Sequence, residues 1–269
     1  MKKAALIILL LLIICSVIWF WQPLRSMAVM SVYSAIHEKD SIMAEAGFKI
    51  DIPGGLSTKG RDWYPFVMTF NADGYKARGG LIEGMTILYN FPAFNLLSRT
   101  NTFYEPDSLY NSSFYGAYVV RTLEETPYCY TDDGQQNYSE VMQAFKYDYK
   151  NLVLESLGDN DFEFIVQQFT GTETDYLGYD GWTMVNAVIN TNSVTHVYKG
   201  TKRSYLQYGR PMNRTYEDFS RIKMHGRLYM RYFPEYKSTI IFYVMAQDRN
   251  IVNECDEKIL SKSEIINLN

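Results

Sequence analysis

Histidine is scarce in this chain. Three stand in 269 residues, His37, His196 and His225, and no two share a metal-binding spacing. His37-Glu38 opens like a zinc-protease helix, but the second histidine four residues on is missing. Asp159-Asn160-Asp161-Phe162-Glu163 has the composition of a calcium loop without the glycine and distal glutamate of an EF-hand. No Gly-x-Ser-x-Gly elbow occurs, and no Ser-x-x-Lys pair opens a helix. Gly54-Gly55 and Gly79-Gly80 lack the phosphate-loop spacing and its Lys-Ser/Thr ending. No catalytic residue, metal ligand or cofactor is therefore assigned.

Cysteine and positive charge are also in short supply. Of three cysteines, Cys15 lies in an apolar run, which leaves Cys129 and Cys255. They either pair across a long loop or stand as two separate buried thiols. Around Cys129, Tyr128-Cys129-Tyr130-Thr131 shows no helix start that would lower a thiol pKa. Lys2, Lys3 and Arg25 are the only charges in the first 28 residues. Beyond them 23 basic residues face 30 acidic ones, a net of −7. That balance argues against a nucleic-acid partner and against docking on anionic lipid. No internal repeat or low-complexity tract is present.

What is present begins with an unbroken apolar run, Ala4 to Trp21, behind Lys2-Lys3. As a helix it reaches about 27 Å, near the thickness of a bilayer core. The preceding lysines keep the N-terminus in the cytoplasm and send the rest across. The first expectation is a single-pass signal anchor, with Trp19-Phe20-Trp21 at the outer interface. The second is a signal peptide cut near Ala28, after Ser26-Met27-Ala28, leaving a secreted protein. A lipoprotein is a distant third, since Leu12-Ile13-Ile14-Cys15 carries a bulky residue before the cysteine.

Residues 29–46 read as a connecting segment, with a short helix within 31–46 that Gly47 stops. Residues 47–269 read as one extracytoplasmic domain with an enlarged middle at about 93–160. Strands are expected at 48–52, 64–70, 85–91 and 114–123, then a helix from Ser139 to Leu157 with Ser139 as N-cap and Gly158 as stop. Further strands follow at 163–170 and 182–189, with a hairpin of 195–198 against 204–208. The clearest hairpin sets 222–233 against 239–246. A helix at 250–262 closes the chain, burying Ile251, Cys255, Ile259 and Leu260. The fold class is α+β, an antiparallel sheet covered by helices.

This order of elements resembles the PsbP-like fold. The phrase Gly47-Phe48-Lys49-Ile50-Asp51-Ile52-Pro53, the strand Met85-Thr86-Ile87-Leu88-Tyr89 and the hairpin-plus-helix from Lys223 to Lys262 carry the likeness. It spans about residues 46–264. It implies a helix-covered sandwich with a non-enzymatic binding or assembly role, and it transfers no functional residue.

One segment stands out as a candidate ligand or partner site. Asp175-Tyr176-Leu177-Gly178-Tyr179-Asp180-Gly181-Trp182 reads as a glycine- and aromatic-rich loop before a strand. Tyr176, Tyr179 and Trp182 either face a ligand there or pack a corner. The long loop Asn101–Ser113 is a second binding candidate. The acid pairs Glu124-Glu125, Asp132-Asp133 and Glu217-Asp218 keep a carboxylate-pair hydrolase open as the rival reading. The leading expectation is a membrane-tethered binding or assembly module of the cell envelope. A self-associating structural component is the third.

Overall fold

The computed structural model describes residues 2–19, 21–54, 66–71, 82–90, 94–95, 100–101, 103, 107–122, 127–154, 159, 161–194, 197–198, 201–202 and 219–268. The expected strand 204–208, the stop at Gly158, His196 and the pairs Glu124-Glu125 and Glu217-Asp218 lie outside these residues.

Two helices open the chain, α1 (Lys2–Trp19) and α2 (Trp21–Lys39), followed by the short α3 (Ile42–Ala46). Among the described residues no helix is long and apolar enough to cross a membrane. The uncharged part of α1, Ala4 to Trp19, spans about 24 Å. The connecting segment is more helical than expected, with 11 of its residues, 29–39, belonging to one long helix, α2, rather than to a short one.

The centre of the domain is a seven-stranded antiparallel sheet. Its members are β2 (Phe66–Asn71), β3 (Ile82–Asn90), β6 (Phe114–Thr122), β7 (Phe164–Tyr176), β8 (Tyr179–Asn192), β11 (Arg221–Phe233) and β12 (Ser238–Ala246). They lie in the order β2-β3-β6-β12-β11-β8-β7, so β2 and β7 are the edges. Three small ribbons accompany it. In them β1 (Phe48–Asp51) pairs with β13 (Glu264–Asn267), β4 (Phe94–Asn95) with β5 (Thr100–Asn101), and β9 (Val197–Tyr198) with β10 (Thr201–Lys202).

Alternation along the strands divides the core into two layers. On β11, Met224, Leu228 and Met230 face one layer, and Tyr229 and Phe233 face the other. The first layer is closed by α4 (Tyr138–Lys146), which continues as wider π turns over Tyr147–Leu154. Its buried residues Val141, Phe145, Tyr149 and Val153 recur every four positions. An α-helix drifts about 40° over each such step, and the widened turns keep the row on one side. Asn137 rather than Ser139 precedes this helix, and Ser139 lies within it. The second layer is closed by α3, by α5 (Arg249–Lys258) and by the β1–β13 ribbon. The strand β13 was absent from the sequence expectation.

Gly116 on β6 shows how tightly the central strands meet. A Cβ there would stand 1.8 Å from the Leu88 carbonyl oxygen and 2.9 Å from the Tyr243 hydroxyl. Cys129 belongs to the first layer and Cys255 to the second, and both carry a thiol. The sheet between them rules out the disulfide in this fold.

Candidate functional site

The aromatic segment singled out above is a hairpin tip, not a loop leading into a strand. β7 ends at Tyr176 and β8 begins at Tyr179, with those two residues paired. Leu177 and Gly178, at φ 51° and 79°, make a two-residue turn of the type whose twist matches its strands. A turn this short leaves the flanking aromatics inside the strands, where alternation decides their fate.

Tyr176 and Trp182 are consequently buried, and Tyr179 is half-buried. The Tyr176 ring lies flat on Tyr229, with centroids 3.7 Å apart and planes 4° off parallel. Trp182 is enclosed by Tyr176, Phe233 and Phe242, at 5.7, 5.6 and 5.9 Å. Tyr179 meets Phe233 edge-on at 5.2 Å. The structure brings the three residues into one corner, but only Tyr179 offers surface to a ligand.

Arg231 completes that corner. Its guanidinium lies 4.3 Å from the Phe233 ring centre and 5.3 Å from that of Tyr179, and its Nε donates to the Asp180 carbonyl at 2.8 Å. Arg231 Nη1 and Trp182 Nε1 are buried without a hydrogen-bond acceptor. The Phe233 and Tyr179 rings face the Arg231 guanidinium, so ring π-density offsets part of its missing hydrogen bond.

A second cluster lies beside it, under α5. The Asp256 carboxylate accepts from Arg227 Nη1 at 2.7 Å, from the Tyr229 hydroxyl at 2.6 Å and from the Tyr176 hydroxyl at 3.3 Å. Arg227 also donates to Asn186 at 2.9 Å and to Asn253 at 2.9 Å. Burial, and then the Asp256 carboxylate, pushes both tyrosine hydroxyls well up, so they stay protonated as donors. Each polar group here has its partner. The arrangement suits a pin between α5 and the sheet better than an acid–base pair.

The remaining sequence candidates resolve separately. Asp159 turns inward to Asn192, which donates at 2.7 Å, and burial raises its carboxyl pKa. Glu163 pairs with Arg221 at 3.3 Å. The calcium-like run is thus a connector tied to the end of β8. Cys129 is buried with its thiol pushed well up, first by burial and then by the Glu140 carboxylate. Glu140 also accepts from the Cys129 backbone N–H at 2.9 Å. This environment opposes a thiolate nucleophile. Among the described residues no three of His, Cys, Asp and Glu gather as a metal site.

A third arrangement joins α2 to the edge strand β2. Val67 N–H donates to Ser34 Oγ at 3.2 Å, and Thr69 N–H donates to His37 Nδ1 at 3.3 Å. Thr69 Oγ1 returns a bond to the His37 carbonyl at 2.9 Å. The His37 ring stacks on Tyr33 at 4.0 Å. Ser34 and His37 sit one helical turn apart, and Val67 and Thr69 are alternate residues of the strand. The helix therefore supplies side-chain acceptors to edge amides that have no neighbouring strand among the described residues.

Sequence reading missed Asp256, Arg227, Arg231 and Ser34, and weighed His37 only as a metal ligand. One signal was available for the arginines. Arg227, Tyr229, Arg231 and Phe233 alternate onto the same face of one strand, and an arginine in a buried row calls for a partner. No protein-family model, curated protein or solved structure matches the chain.

Proposed function

We propose that the chain is a membrane-tethered extracytoplasmic module that binds or assembles partners without transforming them. The observation that carries this reading is the state of α1. Twelve large apolar side chains between Leu6 and Trp19 stand 43–70% exposed, with no described part of the domain packed over them. Leaving them in water costs on the order of 20 kcal/mol relative to burial. A bilayer removes that cost, and the full apolar run on the sequence continues past α1 to Trp21. The lysines before the run favour an exported domain.

The binding role rests on the described chemistry. The buried carboxylates Asp159 and Asp256 serve tertiary contacts, and the buried thiols lie on opposite sides of the sheet. The same reading takes the sheet between helical layers as a PsbP-like sandwich, supported by the order of elements and the closing hairpin and helix. Cleavage near Ala28 would leave Ser34 and His37 on the exported piece. The two fates thus differ in the tether and share the sealed edge.

Alkaline carbonate extraction of membranes holding the full chain tests the tether. The chain is expected in the pellet, and the double substitution Leu10→Arg with Ile13→Arg is expected to release it. Protease added to intact cells stripped of any outer barrier is expected to digest the domain. Release of the unaltered chain by carbonate, or protection of the domain, sinks the proposal.

A further inference from the structure

We propose that the β7 edge takes an added strand from a basic, extended peptide segment of a partner protein. This rests on the binding-module reading and names the partner chemistry for it. Among the described residues no strand lies outside β7. Thr170, Gly171, Thr172 and Glu173 are exposed in succession, so neither face of the sheet is covered at this point. Main-chain groups on such an edge are a template for another strand.

The composition of β7 differs from that of a protected edge. Lysine and proline commonly blunt such strands, and β7 contains neither. Its register breaks between Val166 and Gln168 and again between Thr174 and Tyr176. Between these irregularities the ladder runs evenly, and Thr170–Thr174 offers a straight stretch of about 17 Å. The bulges limit how far an added strand can extend but leave this stretch intact.

Charge selects the occupant. β7 carries Glu173 and Asp175 with no basic residue, and Asp180 at the hairpin tip has a side chain 94% exposed. A second copy would set one acidic edge against another, within a domain whose net charge beyond residue 28 is −7. A strand with lysine or arginine at alternate positions places a cation beside Glu173 while its backbone pairs, and Asp175 at the register break adds to the attraction.

The test uses the full chain in lipid nanodiscs. The probe is a capped peptide of about six residues alternating lysine and threonine. Amide exchange at the alternate residues of Thr170–Thr174 whose N–H groups face away from β8 is expected to slow on adding the peptide. A peptide of the same sequence N-methylated at alternate residues is expected to give no protection, because its charge remains but its backbone cannot pair. Glu173→Lys is expected to weaken binding by about fivefold. Equal binding of the methylated peptide overturns the inference in favour of simple charge attraction. Protection at another surface also overturns it while leaving the binding-module reading standing. No protection anywhere overturns it as well. Protection of β7 without peptide that grows with protein concentration overturns it in favour of a second copy.

Discussion

The two edges of the seven-stranded sheet are finished in different ways. At β2 the outward amides of Val67 and Thr69 donate into Ser34 and His37 of α2, and the strand is closed by a helix. At β7 four residues in succession are exposed, and the strand relies on acids and register breaks. The comparison shows that an edge can be sealed without a further strand. Acceptors one turn apart on a helix reach amides two residues apart on a strand. It also places the sealed edge beside α2 and leaves the open edge at the opposite side of the sheet.

The largest effects are expected between the edges, and they set the scale for both. Asp256→Ala leaves Arg227, Tyr229 and Tyr176 without their shared acceptor and is expected to cost about 3–5 kcal/mol. Denaturant unfolding of the full chain in detergent measures it, and a loss under 1 kcal/mol would mean that Asn186 and Asn253 suffice for Arg227. Gly116→Ala drives a methyl group into the Leu88 carbonyl and is expected to cost about 3 kcal/mol by the same measurement. A near-neutral result would show that β3 and β6 part easily.

Smaller effects separate the edges themselves. Ser34→Ala and His37→Ala each remove an acceptor from a β2 amide and are each expected to cost about 1 kcal/mol. Exchange at Val67 and Thr69 should quicken while exchange in β7 stays unchanged. If both edges respond alike, the seal is not local. The smallest effect is expected at the open edge, where Glu173→Lys should alter stability by less than about 0.5 kcal/mol. A larger loss would show that Glu173 has a structural partner.

Much of the fold was legible because the signals were local. The hairpin of 222–233 against 239–246 and the helix over 250–258 follow from alternation and four-residue spacing in the chain itself. Leu177-Gly178 was less legible. Asp180-Gly181, a stronger turn signal just beyond it, made the two-residue turn look like part of a longer loop, and Tyr176 and Tyr179 were placed outside the strands that hold them. β13 was missed because Glu264–Asn267 is short, and only its pairing with Phe48–Asp51 makes it a strand. Of the candidate site, the sequence identified the three aromatic residues but not the direction of their rings.

Composition and pattern alone determine an acidic portion beyond residue 28, an apolar N-terminal run, and an α+β chain with antiparallel hairpins. These depend on residue type and on neighbours a few positions away. Tertiary structure decided the rest. The choice of which edge to seal depends on α2 reaching β2 across some thirty residues of chain. The separation of Cys129 from Cys255 depends on the sheet that stands between them. The burial of Trp182 depends on Phe233 and Phe242, which arrive from two other strands. Contacts between distant segments carry no local signature, because a side chain's surroundings are settled only when the layers close around it.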